Sequence, residues 1–151
     1  MENFKKQVKK KNDWKYIKEG TCKGKLIGGN LQTFLLLIGT EYLPKESFKD
    51  KILFIEECEM NMDEFCSHLE SLRLHGILDS VKGILIGKFD TPEMNEGIEE
   101  FVKDYFKDYK KPVVYNMDFG HVFPILTLPI GREATVECKD KKIKIELSER
   151  K

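Results

Sequence analysis

The run from Lys51 to Glu59, KILFIEECE, constrains the chain more than any other stretch. Ile52, Leu53, Phe54 and Ile55 are apolar in succession and mostly β-branched or aromatic, the pattern of a strand buried on both faces. The run stops abruptly in Glu56, Glu57 and, after Cys58, Glu59. Strands of this kind belong to α/β sheets, where side chains at the carboxyl ends point into the crevice that receives ligands. A carboxylate placed there can orient a histidine, hold a metal or cap a helix.

Around this strand the sequence alternates strand and helix signals before strands accumulate. Thr21 to Ile27 reads as a first strand, Gly28-Gly29-Asn30 as a tight turn, and Asn30 as the N-cap of a helix over Leu31 to Ile38 that Gly39 ends. Asn61 followed by Asp63 and Glu64 marks the start of a helix from Met62 to His75, burying Phe65, Leu69, Leu72 and Cys66 and stopped by Gly76. Val81 to Phe89 is a second buried strand. Pro92 and Glu93 open a helix to about Tyr109, with Ile98, Phe101, Val102, Tyr105 and Phe106 as a core-packing stripe. Pro112 to Tyr115 is a third strand, emptying into the polar loop Asn116 to His121. Ile125 to Ile130 is extended, and Ala134–Cys138 pairs with Lys142–Leu147 as a terminal hairpin. The expected fold is α/β, a mixed sheet with flanking helices and a C-terminal β-hairpin.

At 151 residues the chain is expected to form one domain over residues 20–151, preceded at 1–19 by a lysine-rich arm or linker stump along which Trp14, Tyr16 and Ile17 follow the domain edge. Its 26 basic and 26 acidic residues cancel, which argues against nucleic acid or an anionic membrane as a partner. Phe34 to Ile38 is the longest apolar run and is too short to span a bilayer, and no signal-peptide pattern opens the sequence. Cys22, Cys58, Cys66 and Cys138 are widely spaced with no CxxC pair, so they read as reduced core residues of a cytoplasmic protein.

Few residues carry chemistry. Glu56 and His121 each follow an apolar strand, and strand ends of this kind meet at one edge of a sheet, where a carboxylate on one imidazole nitrogen leaves the other as a base. Taken alone, Glu56 and Glu57 are polar strand-end residues, and a Gly-His in a loop is commonly structural. His68 and His75 are seven apart and do not have the i, i+4 spacing of a shared metal site. Glu56, Glu57, Glu59, Asp63 and Glu64 could hold a hard cation, but acids also favour the helix start that they straddle. Gly24, Gly28 and Gly29 match no phosphate loop, and none of Ser47, Ser67, Ser71, Ser80 and Ser148 sits in a GxSxG elbow. A base and its orienter are therefore present without a nucleophile.

Several ordered segments resemble one family. They are Gly24-Lys25-Leu26-Ile27-Gly28-Gly29-Asn30-Leu31, Gly39-Thr40-Glu41-Tyr42, Ile52-Leu53-Phe54-Ile55-Glu56-Glu57, Leu72 to Gly76, Gly83 to Phe89, Pro112-Val113-Val114, Gly120-His121 and Leu126 to Gly131. Their order and spacing over about Gly20 to Leu147 resemble the C-terminal domain of the LD-carboxypeptidases, which include the microcin C self-immunity peptidases. The resemblance implies a metal-independent, cytosolic Ser-Glu-His hydrolase without a cofactor, in which an N-terminal domain carries the serine. It places the family's glutamate on Glu56 and its histidine on His121; Glu57 stands where the family often has aspartate. The implied substrates are muropeptides, cut at an L-to-D bond to release D-alanine, or a peptide-nucleotide antibiotic. The serine has no counterpart here, so this chain is expected to be inactive without the N-terminal domain, and the face that meets that domain is expected to be exposed. The family tends to dimerise. The alternative reading is a module that binds a peptide or a partner without turnover.

Overall fold

The computed structural model describes residues 13–148. A seven-stranded mixed sheet runs through it in the order β1-β5-β4-β3-β2-β6-β7. The strands are β1 (Lys15–Tyr16), β2 (Gly20–Asn30), β3 (Ile52–Glu56), β4 (Gly83–Gly87), β5 (Val113–Met117), β6 (Glu133–Lys139) and β7 (Lys142–Leu147). Helices α1 (Leu31–Leu35), α2 (Met62–Leu74), α3 (Ile77–Ser80) and α4 (Pro92–Tyr105) fill the connections. Strands β2 to β5 are mutually parallel, whereas β1, β6 and the β6–β7 hairpin pair antiparallel at the two flanks. The α/β mixed sheet with a terminal hairpin is thus the observed architecture.

The two faces of the central strands are buried differently, as alternating side chains require. Leu53 and Ile55 of β3, Ile84 and Ile86 of β4, and Val113 and Tyr115 of β5 pack under the helices with Phe65, Leu69, Leu72, Ile98 and Val102. Ile52, Phe54, Leu85 and Val114 face the other way and share a second cluster with Val136 and Cys138 of β6 and Ile145 and Leu147 of β7. The sheet therefore curls until its own hairpin covers the face that has no helices. The continuous apolar runs follow from this double cover.

Caps fix the helix starts. Asn61 and Glu64 form a reciprocal capping box at α2, and the Thr91 side chain accepts from the Met94 N–H at α4. Gly76, at φ 72°, turns the chain out of α2. The segment 13–19 is in part a strand: Lys15 and Tyr16 pair with β5 at the sheet edge, and Trp14 is buried. Residues 1–12 of the expected arm lie outside the described residues.

Gly28-Gly29-Asn30 differs from the expected turn. All three residues continue β2 and pair with Phe54, Ile55 and Glu56 of β3. Gly28 has φ 148°, and a Cβ there would lie 1.7 Å from the Phe54 carbonyl oxygen, so Gly28 serves close strand contact and not chain reversal. The expected helix over Leu31 to Ile38 is correspondingly short, ending at Leu35. The helix from Pro92 also ends early, at Tyr105, and Ile125 to Ile130 forms no ladder. Cys66 is half-buried and not core.

The contact at Gly28 generates a stability prediction. Gly28→Ala is expected to destabilise the fold by about 3 kcal/mol or more, because backbone opposes backbone and neither can yield cheaply. Gly29→Ala, where nothing lies within 4 Å of the added atom, is expected to change stability by less than about 1 kcal/mol. Urea denaturation of both variants followed by circular dichroism checks the contrast.

Candidate active site

Because β2 to β5 run in one direction, their carboxyl ends share one edge of the sheet. Asn30 and Glu56, the last residues of β2 and β3, are in register there. The third contributor comes from beyond β5 through an irregularity. Leu85 pairs with Val114 and Gly87 with Met117, so β5 carries one extra residue, and Asn116 takes it up at φ 58°. Asparagine tolerates this left-handed conformation better than most residues. The bulge moves Met117 onto the face opposite Tyr115 and re-aims the chain towards Glu56.

His121 and Glu56 meet at this edge. The Nδ1 of His121 lies 2.7 Å from Oε2 of Glu56, across 65 residues of sequence. The Glu56 side chain is 11% exposed and that of His121 53%, so the acid forms the floor and the imidazole the accessible surface. Two glycines make room for the carboxylate. A Cβ on Gly120, whose φ is 113°, would stand 3.0 Å from Glu56 Oε2 and 3.2 Å from its Cβ. One on Gly87 would stand 2.5 Å from the Phe119 carbonyl oxygen and 3.0 Å from Glu56 Cβ. The Phe119 ring packs edge-on against Phe54, 6.0 Å between centroids, which anchors the loop just before the histidine.

The electrostatics of the pair favour the charged ring. The Glu56 hydrogen bond and the negative charge of Glu56 raise the His121 pKa above its ordinary value, with Asp90 and Glu57 adding in the same direction and burial opposing. With an Nδ1–H donated to Glu56, Nε2 is the ring's remaining basic position, the arrangement a proton acceptor needs.

Glu57 is a polar residue just past the end of β3, as expected, but it does more than end the strand. It is buried, and its carboxylate accepts from the Asn30 Nδ2–H at 3.1 Å and from the backbone N–H of Gln32, tying the end of β3 to the start of α1. The expected acidic cluster is thereby divided. Glu56 serves His121, Glu57 serves α1, and Glu64 caps α2. His68 and His75 sit on or just after α2; the His75 Nδ1 lies 2.7 Å from the Ser71 carbonyl oxygen, and neither joins the pair. Among the described residues no group of three or more His, Cys, Asp or Glu side chains is placed to hold a metal ion. All four cysteines are free thiols, Cys22 and Cys138 buried and Cys58 and Cys66 half-buried.

Sequence reading missed a second set of polar groups beneath the histidine. Asp118 is fully buried, and its carboxylate accepts from Trp14 Nε1–H at 2.8 Å and from Lys88 Nζ at 3.4 Å. Lys88, also buried, donates a further hydrogen bond to the Pro124 carbonyl at 3.1 Å. The available signal was a lysine directly after an unbroken apolar strand and an aspartate between Met117 and Phe119, charges lodged inside apolar runs.

With this geometry in place, comparison with known proteins identifies the class. Residues 23–136 match the model of the LD-carboxypeptidase C-terminal domain, and the chain belongs to that family. It is 39% identical over 140 residues to a putative carboxypeptidase of Treponema pallidum, covering 89% of this chain and 40% of that protein. It is 30% identical over 138 residues to the microcin C7 self-immunity protein MccF of Escherichia coli, again covering 89% of this chain and 40% of the relative. The crystal structure of an MccF-like protein from Bacillus anthracis superposes with a TM-score of 0.80 at 36% identity, over 91% of this chain and 43% of that one. The chain thus spans about two fifths of the length of the relatives it matches.

A titration checks the electrostatics of the pair. The His121 ring protons, followed by NMR against pH, are expected to give a midpoint above the ordinary histidine value of about 6.5, and Glu56→Gln is expected to bring it back to about that value. Since the pair favours the protonated ring, its contribution to stability is present below the ordinary pKa and is lost as pH rises through the raised one.

Proposed function

We propose that this chain is the C-terminal catalytic half of a serine-type LD-carboxypeptidase. It supplies His121 and Glu56, and the N-terminal domain of the same enzyme supplies the serine. The observation that carries the reading is the 2.7 Å hydrogen bond between His121 Nδ1 and Glu56 at the ligand-binding edge of a parallel sheet. In the reaction, His121 Nε2 takes the proton from the serine hydroxyl as it attacks the amide carbonyl. It then returns that proton to the amine of the departing D-amino acid. Glu56 keeps the ring in the productive tautomer and stabilises the imidazolium. No metal or cofactor enters these steps. The substrate is a muropeptide cut at an L-to-D bond or a peptide-nucleotide amide, and the reaction is cytoplasmic.

Exposed apolar side chains support a partner surface beside the histidine. Phe123, Ile125 and Ile130 are 83%, 56% and 70% exposed on the segment that follows His121, and isolated domains seldom leave such neighbours uncovered. The same exposure favours the second reading, a module that binds a peptide or partner without turnover. Activity separates the two.

The test adds the serine-bearing N-terminal domain to this chain and measures D-alanine released from a murein tetrapeptide. The isolated chain is expected to be inactive and the reconstituted pair active. His121→Ala is expected to lower kcat/KM by about 10,000-fold or more, and Glu56→Gln by about 1,000- to 10,000-fold. Full activity in the reconstituted His121→Ala protein would overturn the assignment, and binding without turnover would favour the second reading.

A further inference from the structure

His121 sits on a segment, residues 118–126, that contains no helix or ladder strand and exposes much of its side-chain surface. Its ring is nevertheless held at hydrogen-bonding distance from Glu56, which tolerates only a few tenths of an ångström of drift. Fixing backbone in one conformation costs about 1–2 kcal/mol per residue, so something must hold this segment. Besides the Phe119–Phe54 ring contact, three polar attachments hold its base. The Leu126 N–H donates to the Asp118 carbonyl at 2.6 Å and closes the segment into a loop. Lys88 Nζ bonds the Asp118 carboxylate on one limb and the Pro124 carbonyl on the other. Trp14 Nε1–H fixes the second oxygen of Asp118.

We infer that Lys88 and Asp118 are positioning residues for His121, a buried ion pair that clamps the two limbs of the loop and sets the distance from the imidazole to Glu56. The inference rests on the proposed catalytic reading for its functional meaning, but its geometry does not. Lys88 lies one residue beyond Gly87, whose missing side chain admits both Phe119 and Glu56, so the clamp and the pair are built on the same end of β4. A buried ion pair is a poor source of net stability, because desolvating each charge costs several kcal/mol and well-packed apolar residues often do as well. What this pair supplies is direction. An ammonium with several donors can bind two limbs at once, which no apolar side chain of that size does.

The experiment titrates His121 by NMR in the isolated chain, comparing wild type with Lys88→Met and with the charge-balanced double variant Lys88→Met/Asp118→Asn. Removing the lysine's positive charge by itself would raise the His121 midpoint. Loosening the loop from Glu56 lowers it, so the two effects have opposite signs. The expected result is a midpoint that falls to about 6.5 in both variants, with the amide spectrum of the sheet unchanged and exchange broadening confined to 118–126. If Lys88→Met fails to fold because the buried Asp118 carboxylate loses its counter-charge, the double variant carries the test. A midpoint that stays at the wild-type value or rises in a folded variant would overturn the inference. So would collapse of the whole sheet in the double variant, since the pair would then be holding the fold and not the loop. None of these readouts uses the serine-bearing domain. A reconstituted enzyme without turnover would therefore defeat the catalytic reading and leave the clamp standing.

Discussion

Four parallel strands, pressed into register, determine where everything else in this domain can go. When β2 to β5 share a direction, their carboxyl ends share an edge, and the last residues of β2 and β3 become neighbours without any special device. The tightest point of that register is Gly28 against the Phe54 carbonyl, where no side chain fits. A slip of one residue there would turn Leu53 and Ile55 away from the helices and Phe54 away from the hairpin, because strand faces alternate. Register, core and site are thus one constraint seen at three scales.

The parallel edge brings Glu56 to the right place but not His121, which lies beyond the end of its strand. The extra residue in β5 does the rest. Asn116 in the left-handed region turns Met117 and all that follows, and Gly120 leaves the Glu56 side chain room that a Cβ, 3.2 Å from the Glu56 Cβ, would crowd. A largely buried carboxylate thus meets an imidazole that stays half exposed to solvent. Family membership gives this arrangement its meaning, and the local backbone explains how it is made.

Much of this was legible from residue order. The apolar runs announced buried parallel strands, Asn61 with Glu64 announced a capped helix, and the ends of two strands announced Glu56 and His121 as neighbours. What escaped had physical reasons. Gly28-Gly29 looks like a turn because glycine serves both reversal and close approach, and only the partner strand decides which. α1 ends early because the chain turns locally: the Thr40 hydroxyl donates to the Leu37 carbonyl and Ile38 bridges to Leu43, contacts that the apolar run itself does not announce. Glu57 read only as a polar strand-end acid because its partners, Asn30 and the Gln32 N–H, are distant in sequence. The Lys88–Asp118–Trp14 group joins three separate segments, and no local pattern encodes a contact between elements that only the finished sheet brings together.

The central claim is that Glu56 fixes His121 with its proton on Nδ1 and leaves Nε2 basic. Two-bond proton–nitrogen correlation NMR of the neutral ring, recorded well above its midpoint, reads the tautomer directly. The account predicts a protonated, pyrrole-like Nδ1 and a pyridine-like Nε2, reverting to a tautomer mixture in a protein with Gln at position 56. A ring protonated on Nε2, or a mixture indifferent to that substitution, would contradict it.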